Sequence, residues 1–255
     1  MRITFLGTGT SHGVPMIGCD CAVCKSTDPR DSRLRPSILV ETDDGMQVLV
    51  DTTPDLRTQA LAHDVRRVDA VLFTHTHADH IMGLDDVRRY NNLSGRAMDC
   101  FGDARALAEI RRMFAYVFDP TGHKGGGVPA VNLWPLSGPF CLGRQEIVPV
   151  PVRHGHQMIF GYRLGRIAYL TDCNAIPDAS FELLADLDVL VLDALRRRPH
   201  PTHFSLDQAV QAARRIGAAR TLFTHICHDL GHEATCASLP PGMALAYDGQ
   251  TLDIR

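Results

Sequence analysis

Short apolar runs separated by turn residues set the hydropathy pattern of this chain. RITFL (2–6), SILVE (37–41), QVLVD (47–51), DAVLFT (69–74), EIVPVPV (146–152), FGYRL (160–164), IAYLTD (167–172), DVLVLDA (188–194) and TLFTH (221–225) each read as a short strand. Several are rich in Val, Leu and Ile throughout, the composition of strands covered on both faces. Three segments instead follow helical spacing. PDLRTQALAHD has a helix start at Pro54. DARALAEIRRMFAYVF (103–118) puts Leu107, Ile110, Phe114 and Val117 on one stripe. SLDQAVQAARRIG runs from an N-cap at Ser205 to a stop at Gly217. Strands interspersed with helices predict an α/β protein with helices layered on sheet. No repeat, linker or low-complexity tract divides the chain, so residues 1–255 are expected to form one domain, with GHKGGGVP (122–129) as a flexible loop.

The composition of the 255 residues, 45% hydrophobic and 22% charged, is that of a globular protein. A net charge of -3 supplies no basic field for nucleic acid. No apolar run is long enough to span a bilayer, and MRITFLGTGTSHG lacks the apolar core and cleavage site of a signal peptide, so a cytoplasmic protein is expected. Of the eight cysteines, Cys19, Cys21 and Cys24 are clustered too tightly for easy mutual bridging. Thiolates bound to a metal in a reducing compartment fit better. Cys100, Cys141, Cys173, Cys227 and Cys236 are scattered and read mostly as buried, small apolar residues.

The chemistry lies where the apolar runs stop. VLFT leads into His75, VPVPVR into His154, AYLT into Asp172, VLVL into Asp193 and LFT into His225. Strands that each end in a ligand-type residue bring those residues to one edge of a sheet. In extended chain, His75 and His77 project to the same side and can share one ion. Asp79 and His80, just beyond, can face a second. His154 can complete the first site, with His156 the alternative, and His225 the second. Asp172 can bridge two ions about 3.5–4 Å apart.

The stretch THTHADH (74–80) resembles the H-x-H-x-D-H signature of the metallo-β-lactamase superfamily, and His154, Asp172 and His225 follow in that superfamily's order. The resemblance implies a four-layer αββα sandwich of two mixed β-sheets flanked by helices, and a metal-dependent hydrolase. A narrower resemblance, carried by GCDCAVC, PVPVRHGHQMIFGYRL, AYLTDCNAIP and THICH, is to the phosphoribosyl 1,2-cyclic phosphate phosphodiesterase family. It implies that Cys19, Cys21, Cys24 and His228 hold a structural zinc that staples the loop at about 7–36, with Cys227 the alternative fourth ligand. Three thiolates and an imidazole do satisfy a closed tetrahedral zinc site. The implied activity is hydrolysis of a small, cyclic phosphodiester by a hydroxide bridging two ions, which lower its pKa to near ~7. Zinc is expected in all three positions, and manganese also suits the His/Asp pair.

Within that reading Asp79 both binds metal and orients the hydroxide. His203 matches the position of the family's leaving-group acid and titrates near neutrality, with His200 the alternative. Arg196, Arg197 and Arg198 are candidates for a second phosphate on the substrate, and Lys124 is a weaker one. His12 reads as structural, in a loop whose amides could face the metal edge. His63, His123 and His232 receive no role. The chain departs from the family in LRRRPHPTHFS, in GHKGGGVPAVNLW and in one residue inserted after His154, so the substrate is less determined than the fold.

Two rival readings share parts of the pattern. A tRNA 3′-processing endonuclease has the same signature but carries a basic arm, and this chain is slightly acidic. A non-hydrolytic cofactor-biosynthesis protein of the pyrroloquinoline quinone type keeps the cysteine site, but the complete THTHADH set favours catalysis. A β-lactamase is disfavoured by the missing export signal. The expected partner is a small phosphodiester, with neither membrane nor nucleic acid, and the reading leaves room for a homodimer.

Overall fold

The apolar runs pair into two sheets of seven strands each. The structure is a computed structural model that describes residues 1–119, 121 and 127–254. His123, Lys124 and most of the glycine-rich loop therefore lie outside the described residues. The first sheet contains β1 (Arg2–Gly7), β2 (Ser37–Glu41), β3 (Gln47–Val50), β4 (Ala70–Leu72), β5 (Met98–Gly102) and β6 (Val131–Pro135). The second contains β7 (Phe140–Leu142), β8 (Gln145–His154), β9 (Gln157–Leu164), β10 (Ile167–Leu170), β11 (Val189–Asp193), β12 (Arg220–Thr224) and β13 (Met243–Leu245). The chain then returns through β14 (Thr251–Asp253), which pairs with β1. The orders are β14-β1-β2-β3-β4-β5-β6 and β13-β12-β11-β10-β9-β8-β7. Both sheets are mixed: β3 to β6 and β10 to β13 run parallel, the other pairings antiparallel.

Period-two alternation explains why the central strands are apolar at every position. In β11, Val189 and Val191 join Ile3, Phe5, Val48 and Val50 of the facing sheet in a core between the sheets, while Leu190 and Leu192 pack outward. The outward residues meet Leu206, Ala209 and Ala213 of one helical layer. On the other side Leu49 and Val71 meet Leu56, Leu107 and Ile110. Two sheets back to back with helices outside give the expected αββα sandwich.

The helices are α1 (Leu56–Ala62), α2 (Ala78–Ile81), α3 (Arg88–Ser94), α4 (Ala104–Met113), α5 (Ala115–Phe118), α6 (Asp178–Glu182), α7 (Leu206–Ile216) and α8 (His232–Ser238). The α7 boundaries follow the sequence signals: Ser205 forms a capping box with Gln208, and Gly217 ends the helix with a left-handed φ of 75°. The start of α1 is shifted instead. Its N-cap is Asp55, not the first turn at Pro54, and the Asp55 carboxylate is held by Arg35 rather than by the helix. The expected helix 103–118 is broken at Phe114 (φ -105°, ψ 41°), which lets Phe114 and Val117 stay buried in the same core as Leu107 and Ile110.

Strands β5, β6, β7, β13 and β14 were not anticipated. All but β5 are sheet edges, where less burial leaves a weaker apolar signature. The scattered cysteines also divide: Cys100 and Cys173 are buried, Cys227 and Cys236 partly so, and Cys141 is exposed on edge strand β7.

Candidate metal centre

Strand ends carry the ligand-type residues to one place. Beyond β4 the chain stays extended, so His75 and His77 face one way, with ring centroids 4.6 Å apart. Thr76 faces the other, and its hydroxyl donates to Glu109 Oε2 at 2.8 Å. His77 then opens the single turn of α2, which buries Asp79 and His80. His154 is the last residue of β8, Asp172 follows β10, and His225 follows β12. Asp172 (φ 53°) and His225 (φ 59°) take left-handed conformations that cost non-glycine residues about 1–3 kcal/mol. Such strain persists where the surrounding structure holds it, and here it follows the ends of β10 and β12, the two strands that flank β11.

Two tetrads result: His75, His77, His154 and Asp172, and Asp79, His80, Asp172 and His225. In each, one donor atom per residue lies within 4.8 Å of the others, and Asp172 belongs to both. His80 Nε2 is 3.1 Å from Asp172 Oδ1 and 3.4 Å from Asp79 Oδ2. His225 Nε2 is 3.2 Å from Asp172 Oδ2 and 3.5 Å from Asp79 Oδ2. Donors about 2.0–2.2 Å from a tetrahedral ion are separated by about 3.3–3.6 Å, so most of these spacings are near those a metal needs. His75 Nε2, Asp79 Oδ2, His80 Nε2 and His225 Nε2 are buried without a hydrogen-bond partner. Each would cost free energy left that way; a divalent cation in each tetrad would satisfy His75 in one and Asp79, His80 and His225 in the other. His156, the alternative to His154, is exposed and belongs to neither tetrad.

The electrostatics lean the same way. Burial pushes His75 and His154 below the usual imidazole range, toward the neutral ligand form. Burial also weighs against the His80 cation, but Asp172, Asp79 and Asp51 outweigh it and hold a proton on the metal-free ring. Binding a cation must release that proton.

Asp51, not singled out in the sequence, organises the cluster from behind. Its carboxylate accepts from His80 Nδ1 at 2.7 Å, Thr74 Oγ1 at 2.8 Å and the Thr74 amide at 2.9 Å. Thr74 Oγ1 is also 3.0 Å from His75 Nδ1. The following residues lock α2 in place: Thr52 N donates to His80 O at 2.8 Å and Gly83 N to Thr52 O at 2.9 Å. Gly83 is obligatory there, because a Cβ would collide with the Thr53 carbonyl. A signal existed, since QVLVD ends a buried strand on aspartate just as AYLTD does. Asp51→Asn is expected to weaken metal binding by about 10–100-fold with the fold intact, as loss of a ligand-orienting carboxylate does. A titration of the metal-loaded protein against a competing chelator measures this.

His203 stands beside the tetrads, its ring stacked on His225 with centroids 4.6 Å apart and planes at 9°. Its Nδ1 donates to Asp193 Oδ2 at 3.2 Å, and the same oxygen accepts from the amides of Cys173 and Phe204. Burial disfavours the His203 cation, but Asp193, Asp172 and Asp79 together lift the ring to about 9. His200 lies 5.1 Å away, ring to ring, and turns its Nδ1 to Thr202. A cavity of about 270 Å³ opens here, lined in part by His12, Arg196, Arg198, His200 and His203. Arg197 is exposed and outside that wall, contrary to its grouping with its neighbours. Arg196 is committed to the carbonyls of Arg198 and Pro199, and Arg198 lies 3.6 Å from Asp229.

The cysteine cluster forms a third tetrad. Cys19, Cys21 and Cys24 place Sγ 3.1, 3.3 and 3.6 Å from His228 Nδ1, close to the roughly 3.5 Å expected around tetrahedral zinc. The Cys24 amide, at 3.4 Å, draws the Cys21 thiol down to about 6. Cys227 is not part of the group. The loop bearing His228 is clamped by Arg33, which is fully buried and donates to Cys227 O, Leu230 O and Asp31 Oδ1. No sequence signal distinguishes Arg33 from a surface arginine. Cys21→Ser is expected to release the ion held here and to lower Tm by on the order of 10 °C, while the His/Asp tetrads keep theirs. Elemental analysis beside calorimetry checks it, and unchanged Tm with full zinc content would refute it.

Residues 46–226 match the family model of the beta-lactamase superfamily domain. The two-sheet sandwich is that of the metallo-β-lactamase fold. A crystal structure of a diphosphatase from the PhnP family is 47% identical, covering 100% of this chain and 98% of that one with a TM-score of 0.92. The chain therefore belongs to the PhnP family of the metallo-β-lactamase superfamily. Zinc-bound PqqB from Methylobacterium extorquens, 21% identical over 100% of both chains with a TM-score of 0.78, shares the fold. An octanoyltransferase of Porphyromonas gingivalis is 37% identical over 98% of this chain, but the chain spans only 51% of that protein's length. No helix among the described residues is long and apolar enough to cross a membrane.

Proposed function

We propose that the chain is a metal-dependent phosphoric diester hydrolase acting on a small phosphodiester of the cyclic ribose phosphate kind. The observation that carries this reading is the pair of His/Asp tetrads sharing Asp172, with His203 stacked on one of their ligands at the mouth of a cavity. In this reading His75, His77, Asp79, His80, His154, Asp172 and His225 hold two ions, and Cys19, Cys21, Cys24 and His228 hold a third. Thiolates select zinc for the third, whereas the nitrogen and oxygen donors of the pair suit zinc or manganese. When bound, the paired ions supply water activation and neutralisation of phosphoryl charge.

The chain's own groups do the rest. Asp193 fixes the His203 ring through Nδ1, so the opposite Nε2–H is the proton available to a departing alkoxide. His203 is preferred over His200 because only His203 combines that carboxylate with ring contact to both His154 and His225. Asp79, with one oxygen unpartnered among ligand nitrogens, is placed to orient the attacking group. Arg196 and Arg198 give the cavity a cationic wall for a further phosphate.

A second reading, cleavage of a phosphoanhydride, is favoured by the 47% identical diphosphatase. One panel decides between them: a cyclic ribose phosphate, bis-p-nitrophenyl phosphate and a nucleoside diphosphate, assayed with metal-reconstituted protein. Turnover led by the cyclic ester supports the phosphodiesterase. Preference for the diphosphate selects the alternative, and inertness toward all three removes both.

A further inference from the structure

A second recess of about 320 Å³ adjoins the metal centre at His75 and His77, and His203 is not among the residues that line it. Its floor is His75 and His77, and His77 is the only exposed residue of the two His/Asp tetrads. Its walls include Arg105, Arg112 and Met113 from α4 and Gln157 and Met158 from β9. Two features set its chemistry. Met113 and Met158 leave flexible thioethers open to solvent, 36% and 49% exposed, beside a polar centre. The charges nearly cancel: Arg112 lies 3.4 Å from Glu109, and Asp103 caps the helix beneath Arg105. Glu109 is itself anchored by the Thr76 hydroxyl, between the two histidines. The guanidinium of Arg105 makes no hydrogen bond among the described residues, and it is near enough to Glu109 to help hold that carboxyl below its usual range.

A polyanion would meet as many carboxylates as guanidiniums here, so the recess is not a phosphate site. Thioether sulfur and a guanidinium with no hydrogen bond of its own both favour the face or edge of an aromatic ring, and the Gln157 amide can donate and accept at a ring edge. We propose that this recess is a second substrate subsite that receives an uncharged aromatic group, of the nucleobase kind, on the non-leaving arm of the phosphoryl substrate. A substrate that uses this subsite is an acyclic diester, since a cyclic ribose phosphate carries both ester oxygens on one sugar; its leaving arm lies toward His203 and its other arm past His77. The proposal rests on the hydrolase reading for its substrate and on the recess alone for its ligand.

The test has two arms. In the first, zinc-loaded protein labelled with ¹³C-methyl methionine is titrated with thymidine 5′-monophosphate, and with inorganic phosphate as control, Met113 and Met158 being assigned by their leucine variants. Both methyl signals are expected to shift with the nucleotide and not with phosphate. No shift, or equal shifts with both, overturns the subsite. In the second arm, kcat/KM is compared for p-nitrophenyl thymidine 5′-phosphate and methyl p-nitrophenyl phosphate, which share a leaving group. The wild type is expected to prefer the nucleotidyl ester, and Arg105→Ala and Met158→Ala each to lower that preference about tenfold, the scale of one lost ring contact. Equal use of both esters by wild type and variants overturns the subsite and leaves the hydrolase reading standing. Methionine shifts without turnover of either ester do the reverse.

Discussion

Asp172→Ala is expected to lower kcat/KM on any phosphodiester by ~10³-fold or more and to empty both His/Asp tetrads. The carboxylate belongs to both groups, with Oδ1 3.1 Å from His80 Nε2 and Oδ2 3.2 Å from His225 Nε2. Removing it takes the only carboxylate from one tetrad and one of the two carboxylates from the other at once. Metal centres of this kind contribute several kcal/mol of transition-state stabilisation, and each 1.36 kcal/mol is about tenfold in rate. Elemental analysis should fall from about three ions per chain to about one, the survivor being held by the cysteines. Alanine also loses aspartate's tolerance of the left-handed backbone at this position. Asp172→Asn separates the two effects: asparagine keeps that tolerance and lacks only the charge, so it should recover stability without recovering metal or rate. Three ions retained in Asp172→Ala, with turnover within tenfold of wild type, would refute the shared-ligand reading.

His203→Ala should produce a loss that depends on the leaving group. Ribose alkoxide is a poor leaving group and needs a proton as the bond breaks, whereas p-nitrophenolate does not. A cyclic ribose phosphate should therefore slow by the ~10²–10⁴-fold typical of a lost general acid, and a p-nitrophenyl diester much less. Metal content should hold, because His203 bonds to Asp193 and stacks on His225 without supplying a donor to the paired tetrads. Equal losses on both substrates would mean that the ring positions substrate instead of donating a proton. Loss of an ion would make it a ligand, a reading its place in a group with Asp193 and His225 makes worth measuring.

The ligands were legible because their spacing is local or their strands are. THTHADH carries four donors on one short stretch, and His154, Asp172 and His225 each stop a run of apolar residues. Burial on both faces writes such runs into the chain, and the edge where a strand stops is where its polar residue emerges. The same rule covered Asp193, and it covered Asp51 without being applied to it. Arg33 had no such mark. Its place under the His228 loop depends on contacts 194 and 197 residues away along the chain, to Cys227 and Leu230.

Periodicity and motif spacing are properties of the chain alone, and the layered α/β architecture, the central strands and the candidate ligands follow from them. Folding alone settles which donors come together, that Asp172 is common to both tetrads, that His228 rather than Cys227 faces the three thiols, and that His203 rather than His200 meets Asp193. It also decided that Arg197 stands outside the cavity and that a second recess opens past His77. The physical reason is common to all of these. Neighbouring residues such as Cys227 and His228, or Arg196 and Arg197, are almost equivalent along the chain. Which one faces the site depends on the direction of a side chain at a loop, and that is set by partners far off in sequence.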